Sequence, residues 1–510
     1  MKILKYLLLG LLTLVLLLVF ILAGLINFGP IKISSFPMLA NAITGKGIDT
    51  PSEDVLQLRL QVPDGFQLTL FAENLPMVRF MRSTPSGALI ISRPRAGEVV
   101  LLADNNRDGR ADEKRVLLSG LKRPHGLELH QGWLYIAESH QVGRVAYDGE
   151  SDSLTGDYEV IIPDLTDEGN HWSKTVGVGP DGMLYLAQGS TCNVCEEEDT
   201  RRATIMRFNS DGSGGEIYAS GLRNSVGIDW APWSGQLYAT DNGRDLIGDD
   251  FPPCELNQIV KGGFYGWPYV NGSNVADPDY GPGPTALVSR AIPPAHDFNA
   301  HNAPLGMSFI NASSLPAAFE QSALVALHGS WNRSEPDGYK VVSLHWLDGQ
   351  IEERDFVWGF EEEGNIIGRP ADITQDAEGA IYISDDYAGA IYRVTYGEQS
   401  GTAVSQLVSV QEPGLSEQIE SGFIPVASVL SEDEVSTLAG EGAALYEEHV
   451  CAGCHIEDLP EENRMSLRNL VERYNSDDIV QLLVTPTPPM PVFPLSDADR
   501  KALSYYLLAR

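Results

Sequence analysis

The chain is poor in positive charge. Its 510 residues hold 35 Lys and Arg against 70 Asp and Glu, a formal net charge of −35. A surface of that sign repels phosphate backbones and anionic lipid headgroups, which excludes nucleic-acid binding and electrostatic adhesion to membranes. Cysteine is scarce as well. Of five, Cys192 and Cys195 form one C-x-x-C, Cys451 and Cys454 a second, and Cys254 is left over. Long apolar runs are missing but for one, Tyr6 to Ile31, which follows Lys2 and Lys5. It is long enough to span a bilayer and longer than a signal-peptide core. Residues 1–31 are therefore expected to be a transmembrane signal anchor, with the rest of the chain on the far side of the membrane. Ala40-Asn41-Ala42 keeps a cleaved signal open as the alternative.

Helical stretches are missing between 65 and 396. In their place a loose unit recurs, two short strands joined by a Gly-containing turn, at 83–103, 125–147, 174–190, 226–243, 371–396 and, more weakly, 305–331. Six such units imply an all-β six-bladed propeller over 61–397, whereas a β-sandwich would leave the repeats unexplained. In a propeller, the segment before each blade's innermost strand lies at the mouth of the central channel, where ligands bind. Here those segments are polar: Arg79 and Arg82, His125, His171 and Lys174, Arg223 and Asn224, His301 and Asn302, and Arg369. Histidines and cations converging on one axis point to an anionic ligand with proton-transfer or redox chemistry beside it.

The second C-x-x-C is followed directly by histidine, as Cys451, Cys454 and His455 in CAGCH. Two thiols to bond a porphyrin and an imidazole for its iron make the attachment motif of c-type haem, and no second Cys/His pair follows to complete a zinc site. Met490, in the proline-braced PPMPVFP, is the expected second axial ligand, with Met465 as its competitor. Residues 431–450 read as a helix with an acidic first turn, and Ser496 can cap a final helix that puts Leu503, Tyr506 and Leu507 on one face. Helix, CxxCH, methionine loop and helix in that order resemble a small all-α class I cytochrome c domain over 431–510. Haem attachment outside the bacterial cytoplasm agrees with the anchor and implies the periplasmic side of an inner membrane. Residues 32–60 and 398–430 read as linkers.

GNHWSKTVGVGPDGMLYLAQGSTCNVC at 169–195, ASGLRNSVGI at 219–228, IVKGGFYGWPYV at 259–270, HNAPLGM at 301–307, LHGSWNRSEPDGYKVV at 327–342 and GRPADI at 368–373 together resemble the sorbosone dehydrogenase branch of the sugar dehydrogenases that depend on pyrroloquinoline quinone (PQQ). The resemblance implies PQQ, calcium, and oxidation of an aldose or a related hydroxyl or aldehyde compound. It matches His171 to the base that takes the hydroxyl proton, Arg223 and Asn224 to cofactor contacts near the reactive carbonyl, and Arg369 to an arginine that meets PQQ carboxylates. His125 lies beside a cofactor contact of the family. In the WNR segment of Trp331, Asn332 and Arg333, the arginine stands as a second clamp and the tryptophan as a flat neighbour for the ring system. Gly243 and Arg244 take the places whose backbone oxygens hold the cofactor's calcium. Glucose-oxidising relatives carry an aspartate where this chain has Ser190, and they lack the CNVC segment. What orients His171 is thus left open.

DNNRDGRADE at 104–113 sets Asp104, Asn106, Asp108 and Asp112 at calcium-loop spacing around Gly109, but Arg115 stands where an EF-hand has glutamate. A structural calcium and a plain acidic turn both fit. Cys192 and Cys195, with no histidine after them, read as a local disulfide. The expected whole is a membrane-anchored quinohaemoprotein that oxidises a sugar at PQQ and passes electrons through haem c to a respiratory acceptor. Two other classes compete with it: a non-catalytic sugar-binding propeller carrying haem, and a calcium-dependent propeller hydrolase such as a lactonase.

Overall fold

Segments such as LIISR, WLYIA, LYLAQ and SALVAL are buried at almost every position. A strand without an exposed face must have cover on both sides of its sheet, and blades stacked around an axis give it that. The computed structural model describes residue 41, residues 45–281, 283–347 and 349–397, a few helical positions between 442 and 483, and residues 495–508. Six antiparallel sheets of four or more strands follow one another along the chain. Their first strands are Met81–Ser83, Leu127–His130, Lys174–Val178, Ser225–Trp230, Pro304–Phe309 and Pro370–Gln375, and each lies against the next in a closed ring. The six-bladed expectation therefore holds, and each repeat read from the sequence falls on one blade.

The ring closes by long-range pairing: Phe66–Ala72 runs antiparallel to Ala390–Tyr396 as the outer strand of the last blade. Between blades the apolar faces merge, as where Leu89, Ile91, Val100 and Leu102 of the first blade meet Tyr382 and Ile391 of the last. At the starts of the inner strands, Phe80, Val226, Leu305 and Ala371 from four blades form one buried apolar cluster.

The stretch expected as a linker before the propeller is not wholly linker. Glu53–Arg59 is a helix with Glu53 and Asp54 in its first turn and Arg59 in its last, the polarity its dipole favours, and Leu56 is buried. Leu56 and Leu60 belong to the core of the last blade, and Arg59 pairs with Glu362 at 2.7 Å.

The chain divides into two compact units, Met1–Val404 and Ser405–Arg510. In the second, Asp497–Leu508 is a helix whose capping residue is Ser496: its Oγ accepts from Asp499 N at 3.2 Å, and Asp499 Oδ2 accepts from Ser496 N at 3.0 Å. Leu503 and Leu507 are buried with Leu495, Tyr446, Leu470, Ile479 and Leu483, with Tyr506 packed against them, so the expected apolar face is there. The haem-site residues Cys451, Cys454, His455 and Met490, the 1–31 anchor and the 398–430 linker lie outside the described residues. Among the described residues, no helix is long and apolar enough to cross a membrane.

Candidate active site

The inner strands all start at one end of the channel, and the antiparallel second strands finish there. Side chains just before the former and just after the latter thus share one mouth. His125, His171, Arg223, Asn224, His301, Asn302 and Arg369 all arrive by this rule. Two expected mouth cations do not. Arg82 lies on its strand, one step further along the channel, paired with Glu128 at 3.2 Å and Asp372 at 3.8 Å. Lys174 is buried and donates to Thr166 O and Trp172 O; burial and then Arg202 push its amine down to about 7.

His171 is oriented by Ser190. Its Nδ1 lies 3.0 Å from Ser190 O and 2.9 Å from Ser190 Oγ, and that hydroxyl in turn donates to Cys192 O at 2.7 Å. A carbonyl can only accept, so Nδ1 carries the proton and Nε2 is the basic atom. Burial and the Arg223 charge hold the imidazole well below its usual range, so it is neutral at physiological pH. Buried Arg202 fixes the same turn, donating to His171 O, Ser190 O and Gly189 O. Gly189 must be glycine: a Cβ there would come 2.3 Å from Asn224 Oδ1 and 2.7 Å from His171 Cβ. His125 repeats the pattern, with Nδ1 3.2 Å from Lys174 O and its titration lowered by burial and Arg79.

Arg223 is 4% exposed and nearly saturated. Nε donates to Asn193 O, Nη1 to Asn242 O, and Nη2 to Asn193 Oδ1 and Asp245 Oδ2, all at 2.9–3.0 Å. Asn193 sits inside the Cys192–Cys195 disulfide, which the structure forms as expected. Behind Arg223, Gly243 and Arg244 line a pocket with two carboxylates that the sequence reading missed, Asp241 and Glu255. Burial pushes Asp241 up to about 7, and burial followed by Asp241 pushes Glu255 up to about 8. Asn257 donates to Glu255 while its own buried Oδ1 has no partner. Asp241 accepts from Arg223 N and Asn224 N, and Glu255 from Gly272 N and Asn257; the lone pairs that remain on these buried carboxylates, beside an unused amide oxygen, are of the kind that hold a hard divalent cation. The Arg244 side chain faces elsewhere, bonding Asp277 at 2.7 Å.

Across the mouth, Asp386 joins Arg79 at 2.6 Å to His328 Nε2 at 2.8 Å. Burial would raise this carboxyl, but His328 and Arg79 outweigh it and hold it below the usual range; burial and Arg369 bring His328 down to about 4. Arg369 is anchored by His328 O and Gly329 O at 3.0 Å each and by Asn41 Oδ1 at 3.4 Å. Arg333 donates to Asp249 O, Ala300 O and Asp250, so the expected clamp is turned to the protein, with only its buried Nε unpaired. Trp331 is half-buried beside it. Neither His328 nor Asp386 was singled out in the sequence; the consecutive acids at the end of a strand, Asp385 and Asp386, were the available signal.

Around this mouth five buried atoms have no hydrogen-bond partner: His125 Nε2, Asn224 Oδ1, His301 Nδ1, Asn302 Oδ1 and Asn332 Nδ2. Each unmade bond at a buried atom costs about 1–3 kcal/mol, so such a group in one place marks the seat of a polar ligand. With the spare N–H groups of Arg223 and Arg369, these donors and acceptors fit a flat, carboxylated cofactor such as PQQ. The 104–113 loop behaves differently. Asp104 accepts from Asp108 N and Gly109 N, and Asp112 from Asn105 N and Asn106 N, so the loop is tied to its own amides, an arrangement that both the calcium and the acidic-turn alternatives allow.

Comparison with known proteins agrees with this architecture. An uncharacterised protein of Borreliella burgdorferi is 30% identical over 381 residues, covering 71% of this chain and 97% of its own. The pyrroloquinoline quinone-dependent pyranose dehydrogenase of Coprinopsis cinerea is 23% identical over 347 residues, 58% of this chain and 46% of that one. The solved PQQ domain of a C. cinerea pyranose dehydrogenase, in its holo form, superposes with a TM-score of 0.57 at 21% identity, over 66% of this chain and 97% of that domain. The TrAA12-like family model matches residues 60–255 and 286–397, strands of all six blades, and the chain belongs to that family.

Proposed function

We propose that this chain is a membrane-anchored quinohaemoprotein dehydrogenase. It oxidises a sugar of the aldose or sorbosone type at the propeller mouth and delivers the electrons through haem c, at Cys451, Cys454, His455 and Met490, to a respiratory acceptor on the periplasmic side of an inner membrane. The name of the Coprinopsis relative supports the sugar and the quinone. The observation that carries the reading is the His171 geometry: a neutral imidazole with Nδ1 committed to Ser190 and Nε2 left basic.

His125, Asn224, Asn302 and Asn332, with Arg223 and Arg369, would hold PQQ; Asp241, Glu255 and the Gly243–Arg244 turn would hold calcium. When bound, the quinone supplies a two-electron acceptor and the cation a Lewis acid. The protein does the rest. His171 Nε2 takes the proton of the substrate hydroxyl, and the resulting imidazolium is stabilised by the Ser190 carbonyl and hydroxyl that already face Nδ1. Fusion to a one-electron carrier raises that carrier's effective concentration without a diffusional encounter.

The test is a screen of sugars, alcohols and aldehydes on PQQ- and calcium-loaded protein, followed by haem absorbance. Reduction by one class, abolished in His171→Ala, is expected. Haem that stays oxidised throughout would remove the dehydrogenase reading.

A further inference from the structure

The Cys192–Cys195 loop lies next to both working side chains of the mouth, and its hydrogen bonds run inward to them. Asn193 is the hub. Its carbonyl accepts from Arg223 Nε at 2.9 Å and Trp267 Nε1 at 3.4 Å. Its side-chain oxygen accepts from Arg223 Nη2 at 2.9 Å and Asp245 N at 2.8 Å, and its amide donates to Asp245 O at 3.0 Å. Asp245 completes the circuit with its own pair to Arg223 at 2.9 Å. At the loop's other end, Cys192 O receives the Ser190 hydroxyl that faces His171 Nδ1. A four-residue loop closed by a covalent bond has little freedom, so Asn193 presents both of its oxygens in one arrangement.

We propose that the disulfide-closed Asn193 is a positioning residue: it holds the Arg223 guanidinium and the Asp245 turn in place and, through Cys192 O and Ser190, steadies His171. The C-x-x-C pair, in its disulfide form, is therefore part of the site's scaffold. Its consequence for PQQ affinity rests on the function proposed above; its consequence for Arg223 does not.

The experiment uses full-length protein in three states: wild type, Asn193→Ala, and Cys192→Ser with Cys195→Ser. A fourth sample is wild type treated with dithiothreitol, in which two electrons and two protons pass from the dithiol to Cys192 and Cys195 while the reagent closes into its own cyclic disulfide. Two quantities are read well below each sample's melting temperature. They are the rate at which phenylglyoxal labels Arg223 in the apo protein, by peptide mass mapping, and the PQQ dissociation constant, by tryptophan quenching. Labelling is expected to rise at least fivefold, and the dissociation constant roughly tenfold or more, in all three altered samples. Arg223 that stays shielded in Asn193→Ala, or in protein shown by mass to lack the disulfide, would overturn the proposal. So would an unchanged dissociation constant where the wild type binds PQQ. If wild-type protein binds no PQQ, the functional reading fails and the labelling rates still decide the role of Asn193.

Discussion

On the wall built by the third and fourth blades, His171 and Arg223 are surrounded mostly by neutral acceptors: Ser190, Asn193 and Asn242. On the facing wall, from the fifth, last and first blades, Asp386 ties Arg79 and His328 into a buried ionic cluster. The two walls carry the same residue types, a histidine and arginines, with opposite results. His171 keeps a free basic nitrogen because its partner is a carbonyl. His328 presents Nε2 to a carboxylate, so that nitrogen is occupied. One wall is arranged for moving a proton, the other for holding charge in place.

The comparison can be broken most directly at His171. His171→Ala should lower kcat by roughly 10³-fold with the fold intact, the range that general-base removal gives, whereas His328→Ala should lower it far less; equal losses measured by haem reduction would erase the distinction. The ionic wall should show itself in stability. Asp386→Asn removes the carboxylate that Arg79 pairs with at 2.6 Å and is expected to lose about 3 kcal/mol in urea unfolding, with the acid limb of kcat/KM unmoved. A third test is steric: Gly189→Ala forces its Cβ against Asn224 and His171, and a displacement of that kind is expected to lower kcat by about 10²-fold, while the melting temperature changes little. The smallest effect is in pH. Burial and Arg223 disfavour the His171 imidazolium, so its base form persists as pH falls, and kcat/KM should stay level from pH 8 down to below the ordinary histidine value of about 6.5. Removing the cation in Arg223→Gln should move the acid limb upward while leaving it below the ordinary histidine range, since burial is the larger cause.

Much of this site was legible because propeller topology converts sequence position into place. Once six repeats are seen, the residue before each inner strand is at the mouth, and His125, His171, Arg223, His301 and Arg369 follow. Arg82 and Lys174 escaped that rule because they lie on the strands rather than before them, where the neighbouring blades supply Glu128 and buried carbonyls. Arg333 shows another limit of sequence reading: Asp249 O and Ala300 O, far off in sequence, reach its guanidinium, and nothing local foretells it. His328 and Asp386 are 58 residues apart, and nothing local marks them as partners. The helix Glu53–Arg59 hid in a short polar stretch whose only cue was Leu56, and burial against the last blade completes it.

By itself, the amino-acid order determined the number of blades, the Cys192–Cys195 pair and the kind of side chain at each blade's start, since strand length, turn glycines and cysteine spacing are local properties. Only the tertiary structure decided which nitrogen of His171 is basic, which arginines keep spare N–H groups, and which carboxylates are forced together. Those outcomes depend on what each polar group finds when water is withdrawn: Ser190 returns to His171 across the hairpin of its own blade, Asn193 reaches Arg223 from the neighbouring blade, and Glu255 lies opposite Asp241 on the adjacent strand.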